Sequence, residues 1–114
     1  DLDKALEYYE KSLSIDKQIK NEDAISTGLN NIGNVYYKRK DYGKALEYHN
    51  EGLRYAIKND NIASIGLSLN NIGDVYFATK KYEEAIRFQK QAMDLEVQIN
   101  DQEGIAYSLD ALSK

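Results

Sequence analysis

The sequence predicts an all-α solenoid of stacked αα-hairpins. Three observations carry that expectation. The stretch Leu29-Asn30-Asn31-Ile32-Gly33-Asn34-Val35-Tyr36 returns 40 residues later, without a gap, as Leu69-Asn70-Asn71-Ile72-Gly73-Asp74-Val75-Tyr76. A degraded third copy begins at Leu109-Asp110-Ala111-Leu112-Ser113. The same offset links Ala5, Ala45 and Ala85, then Leu6, Leu46 and Ile86, then Leu13, Leu53 and Met93. A fixed period of about 20–50 residues marks a stacked repeat protein, whose units bury their apolar faces on one another. Second, Leu29, Ile32, Gly33 and Tyr36 fall at i, i+3, i+4 and i+7, a single helical seam. Third, the chain contains no Pro, so nothing forces a long helix to stop or kink.

Six helical segments follow in order. The first spans residues 2–20, with Ala5, Leu6, Tyr9, Leu13 and Ile15 mostly on one face. Asn21-Glu22-Asp23 ends it and offers capping side chains to the second, residues 24–39. Lys40-Asp41 is a short turn before the third, residues 42–58. Asn59-Asp60-Asn61 breaks the pattern ahead of the fourth, residues 62–79. The fifth runs over residues 82–99, and a sixth begins near Gln102. We call the helix with Asn-Asn-Ile-Gly helix A and the one with the Ala–aromatic–Leu pattern helix B. The order is B, A, B, A, B and a partial A. The expected organisation is one repeat domain over residues 1–114, part of a longer array: an unpaired B helix at 1–20, repeats at 24–58 and 62–99, and a partial A helix at 102–114. Helices of this length are marginal alone in water and need stacked neighbours. Gly33 and Gly73 inside the seam lower helix propensity by about 1 kcal/mol each, which points to close approach of another helix. Ala5/Ser12, Ala45/Gly52 and Ala85/Ala92, seven apart on the B helices, read as shallow sites for larger A-helix side chains.

Composition excludes several function classes. The net charge is −4 and the pI about 5.0, a poor match to phosphate backbones, so no nucleic-acid partner is expected. With no Cys there is no disulfide framework and no thiolate metal site. No stretch reaches the roughly 18 apolar residues of a membrane span, and a cytoplasmic, membrane-free protein is expected. The single His, His49, reads as a surface or half-buried residue. No phosphate loop, nucleophile motif or carboxylate dyad is visible. Neither catalysis, nor a cofactor, nor a metal is expected. The 10 Tyr fall largely at repeat-core positions such as Tyr36, Tyr42, Tyr76 and Tyr82.

Leu29-x-x-Ile32-Gly33-x-x-Tyr36 followed by Tyr42-x-x-Ala45 and Gly52-Leu53 resembles the tetratricopeptide repeat (TPR), and Leu69-x-x-Ile72-Gly73-x-x-Tyr76, Tyr82-x-x-Ala85 and Ala92-Met93 resemble it again. The resemblance covers essentially the whole chain and implies a right-handed superhelix of about three repeats. The period here is 40 residues against about 34 in the common repeat. Leu stands at the usual Trp position, and the closing Pro is absent. In this the chain is similar to the long repeats of Partner-of-Inscuteable-type adaptors, bacterial TPR regulators and kinesin light chains.

The resemblance implies a concave groove lined by the A helices, where peptides or protein segments bind. Carried over by position, its residues are Thr27, Asn30, Asn34, Tyr37 and Lys38 in one repeat and Leu67, Asn70, Asp74, Phe77 and Ala78 in the next. Tyr107, Asp110 and Lys114 follow in the partial one. The spacing of Asn30, Asn34 and Tyr37 sets them one position off the buried seam. Asn amides both donate and accept and suit a peptide backbone, while Tyr37 and Phe77 offer flat apolar surface. The competing structural role is an inter-helix hydrogen bond that sets repeat spacing, favoured for Asn31 and Asn71. A chaperone-type carboxylate clamp is not expected, because Asn30 stands where its leading Lys belongs and Tyr107 and Ala111 stand where cations belong. Two further readings are a scaffold that self-associates through its end helices and a sensor or regulatory part of a larger kinase or transcription regulator. For the scaffold, Leu6, Tyr9 and Leu13 are expected to form one open end face, and Ile105, Leu109 and Leu112 the other.

Overall fold

A computed structural model describes residues 1–99 of the chain. They form five helices, α1 (Leu2–Gln18), α2 (Glu22–Lys38), α3 (Tyr42–Lys58), α4 (Ile62–Ala78) and α5 (Tyr82–Ile99), with no strand among the described residues. The third and fifth have the boundaries expected from the sequence. The others differ by one or two residues at an end. The sixth helix, expected from Gln102, lies outside the described residues.

The four turns share one construction. Lys20, Lys40, Asp60 and Lys80 adopt left-handed φ values of 56°, 62°, 53° and 66°. At the second turn the Lys40 N–H donates to Tyr37 O and the Asp41 N–H to Tyr36 O, both at 2.9 Å, satisfying carbonyls that the helix end leaves open. The next residue caps the following helix: Asn21, Asp41 and Asn61 accept from the N–H groups of Ala24, Lys44 and Ser64. None of the turn residues is Gly, although the left-handed region disfavours a Cβ by about 1 kcal/mol or more. Lys40 and Lys80 are exposed, so Lys40→Gly with Lys80→Gly removes that strain and no packing. The pair should raise the melting temperature by about 5 °C or more. An unchanged melting temperature in a thermal scan would show that the turns carry no strain.

α2 packs against both α1 and α3, α4 packs against both α3 and α5, and α2 touches α4 directly. The B helices α1, α3 and α5 do not approach one another within 8 Å between Cα atoms. The A helices therefore form the inner row and the B helices the outer one. The seam predicted on the A helices is the core: Ile25, Leu29, Ile32 and Val35 of α2 and Leu69, Ile72 and Val75 of α4 are buried, against Ala45, Ala56, Ala85 and Ala92 on the B helices. The glycines mark close approach. A Cβ on Gly33 would lie 2.7 Å from the His49 ring, one on Gly52 3.1 Å from Asn30 Nδ2, and one on Gly73 3.3 Å from the Ala85 carbonyl. Each hairpin also stacks an aromatic pair, Tyr36 on Tyr48 and Tyr76 on Phe88, both with centroids 5.5 Å apart.

Two expectations are corrected. Leu6, Tyr9 and Leu13 do not form the open face of α1, since they pack against Ile25, Leu29 and Ile32 of α2. The open stripe is instead Tyr8, Ile15 and Ile19, exposed to 67%, 57% and 65%. The two stripes run side by side on one helix, and both are apolar because a B helix serves an A helix on either side. The second correction is His49, which is 1% exposed because it fills the space over Gly33.

Candidate partner-binding face

The inner surface is built from the sides of α2 and α4 that no B helix covers. On α2 it presents Thr27, Asn34 and Lys38, all exposed, with Tyr37 half-buried. Tyr37 meets Tyr42 edge-on at 5.7 Å, and the Thr27 hydroxyl donates back to the Asp23 carbonyl at 3.2 Å, so part of its polarity is spent within its own helix. On α4 the surface presents Leu67 and Phe77, exposed to 50% and 60%, with Asp74 exposed and Asn70 and Ala78 half-buried. Phe77 meets Tyr82 edge-on at 5.2 Å, which steadies the ring while leaving one side open. Partial desolvation raises the Asp74 carboxyl above the ordinary carboxylate value. The α2 half is thus polar and the α4 half apolar with one carboxyl. Asn70 and Leu67 also border a depression of about 350 Å³, completed by Ile62, Ala63, Gly66 and Ala92 among others. Tyr107 and Asp110 lie outside the described residues.

Asn30 does not belong to this surface. It is 1% exposed, and its amide joins three helices. Its Nδ2 donates to the Ser26 carbonyl at 3.2 Å and to Ser68 Oγ of α4 at 2.8 Å. Its Oδ1 accepts from His49 Nδ1 of α3 at 2.8 Å, and from Asn71 Nδ2 of α4 at 3.4 Å. Ser26 Oγ in turn donates to the Gly52 carbonyl at 2.9 Å. Both donors and both acceptor positions of the amide are used, so Asn30 is the polar joint between repeats and not a ligand contact. Burial pushes the His49 imidazole down to about 4, so it is neutral near pH 7. Its Nδ1 must carry the proton, because Asn30 Oδ1 only accepts. The resemblance placed Asn30 with Asn34, and their spacing agreed. What separates them is tertiary: Ser68 and Asn71 of α4 meet Asn30 where α4 packs on α2.

Around the joint, exposed clips tie neighbouring helices: Arg39 to Asp3, Lys58 to Glu22 at 2.8 Å, and Asn61 Nδ2 to Asp23 at 3.1 Å. Such pairs fix orientation more than stability. Among the described residues no group of three His, Cys, Asp or Glu is placed to hold a metal ion. No described helix is long and apolar enough to cross a membrane.

Comparison with known proteins agrees with this architecture. The crystal structure of BtubC (BKLC) from P. vanneervenii superposes with a TM-score of 0.77 at 23% identity, over 89% of this chain and 41% of that one. At that identity the likeness concerns the fold, and this chain spans less than half of the BtubC chain. A comparison with curated protein sequences gave no match. Two family models, both described as tetratricopeptide repeat, match residues 1–58 and 66–96. With hairpins in the expected register and a repeat model over half its length, the chain belongs to the tetratricopeptide repeat family, whose repeats generally mediate protein–protein interaction.

Proposed function

We propose that the chain is a non-catalytic module that binds a peptide or protein segment along the inner face of α2 and α4. The observation that supports this most is the exposure of Leu67 and Phe77, large apolar side chains on the inner row, next to exposed Asn34, Lys38 and Asp74. Apolar anchors give a segment its affinity. The neighbouring amide and charges fix its direction and register. The segment that suits this face has an apolar residue over α4 and backbone or polar groups over Asn34. Peptides selected from a random displayed library on the whole chain provide the test. Asn34→Ala with Phe77→Ala should weaken the selected peptides at least tenfold, because truncating a central anchor removes about 1–2 kcal/mol or more. The melting temperature should move only a few degrees, since both side chains are exposed. Full affinity in the double variant would place binding elsewhere.

A second reading, self-association, rests on α1. Tyr48 and Tyr55 of α3 pack toward α2, whereas Tyr8 and Ile15, one period earlier, are exposed. We propose that this stripe seats an A-type helix from a second copy. Sedimentation equilibrium should show concentration-dependent association that Ile15→Glu abolishes. A strict monomer at high concentration would remove this reading.

A further inference from the structure

The outer row carries a second apolar opening. Because α3 and α5 do not touch, a gap of about 390 Å³ lies between them over α4, within the roughly 300–1,000 Å³ of ligand sites. The first repeat junction has the same walls but a different side chain over them. Leu53, Ile65 and Leu69, which line the gap, stand one period after Leu13, Ile25 and Leu29. At that earlier junction the ring of Tyr55 packs against the cluster that these three residues form with Ile32. One period after Tyr55 stands Leu95, and one period after Arg54 stands Asp94, both at the gap. The second junction therefore has the same apolar walls, with Phe88 at its edge, a leucine where the first has the ring of Tyr55, and a carboxylate where the first has a guanidinium. Exposed Ile57 extends the apolar rim.

From this geometry we propose that the gap between α3 and α5 is a docking site for a partner protein segment that inserts an aromatic side chain and sets a cationic residue beside Asp94. The ring that Leu95 replaces defines the size and flatness of the anchor. The exchange of Arg54 for Asp94 defines the sign of its companion charge, because an exposed carboxylate at the mouth of an apolar pocket favours Lys or Arg on the incoming segment. Leu95 borders both this gap and the depression beside Leu67, whereas Leu53, Ile57 and Asp94 belong to the gap and Asn34 and Phe77 to the inner face.

The test uses the whole chain with isotope-labelled methyl groups and the peptide Ac-Gly-Tyr-Arg-Gly-NH2 as probe. Saturable shifts are expected for the methyls of Leu53, Ile65, Leu69 and Leu95, and none with Ala in place of the probe's Tyr. Glu in place of the probe's Arg should weaken binding about two- to fivefold, the range of an exposed ion pair, and Asp94→Asn should erase that difference. Leu95→Tyr restores the ring seen at the first junction. It should raise the melting temperature and reduce probe binding at least tenfold, and Ile57→Glu should reduce binding without lowering the melting temperature. Absence of saturable shifts at these methyls would overturn the proposal. So would equal binding by Leu95→Tyr, a melting temperature lowered by that change, or tighter binding of free tyramine than of the peptide. Loss of the inner-face peptides through Asn34→Ala and Phe77→Ala leaves this experiment unaffected, so the two sites fail separately.

Discussion

Asn30→Ala should lower the unfolding free energy by about 2–4 kcal/mol, while Asn70→Ala, the same change one repeat later, should cost less than about 1 kcal/mol. The difference lies in what each amide holds. Removing the Asn30 amide strands the His49 Nδ1–H and Ser68 Oγ in a place water does not reach, and takes the partner of half-buried Asn71 Nδ2 away as well. Each stranded buried group costs about 1–3 kcal/mol, and the members of a network fail together. Asn70 is half-buried and borders an open depression, so water replaces what its amide loses. Urea unfolding of the two single variants, compared at their midpoints, checks this. Equal losses would mean that the joint is no more stabilising than an exposed amide.

Acid should weaken the fold through His49. Burial holds its folded value at about 4, below the ordinary 6.5, so between those two pH values the unfolded chain binds the proton and the folded chain does not. Stability therefore rises with pH across that window and is lost as pH falls from about 6.5 towards 4. The displacement corresponds to about 3 kcal/mol. Above pH 6.5 the ring is neutral in both states and contributes no slope. Asp74 acts in the opposite sense, because its raised carboxyl value makes the folded chain the better proton binder as that group titrates. The informative quantity is the stability of the native protein minus that of His49→Gln, measured by urea unfolding at several pH values from 7 to 4. That difference should shrink by about 3 kcal/mol on acidification. Parallel curves would show that His49 does not titrate in this window.

Much of the architecture was legible because it is local or periodic. The seam of Leu29, Ile32, Gly33 and Tyr36 announced both helix and burial. Asn21-Glu22-Asp23 announced a cap, and Asn21 supplies it. Gly33 and Gly73, poor helix formers kept in register, announced close approach, and the structure puts the His49 ring and the Ala85 carbonyl there. The turns were less legible. Their left-handed residues are Lys20, Lys40, Asp60 and Lys80, so the Gly that usually marks such a position is absent. The stripes on α1 were misassigned because Leu6–Tyr9–Leu13 and Tyr8–Ile15–Ile19 are both apolar and both helical in spacing. Only the position of α2 distinguishes them.

The candidate site divides in the same way. Its positions on α2 and α4 were what the tetratricopeptide resemblance implies, and Asn34, Lys38, Leu67, Asp74 and Phe77 are at the surface. Asn30, one turn from Asn34 and of the same residue type, is inside. Its partners Ser68 and Asn71 stand 38 and 41 residues away, and His49 stands 19 away. By itself the sequence determined the repeat, the helices, their alternation and their apolar seams, because backbone propensity and periodic burial act within a few turns. Tertiary structure alone decided which polar side chains are enclosed, which face of α1 stays open and where a gap is left between outer helices. Those outcomes depend on where a neighbouring helix happens to lie, and a hydrogen bond or a gap between helices leaves no trace in the residues next to it.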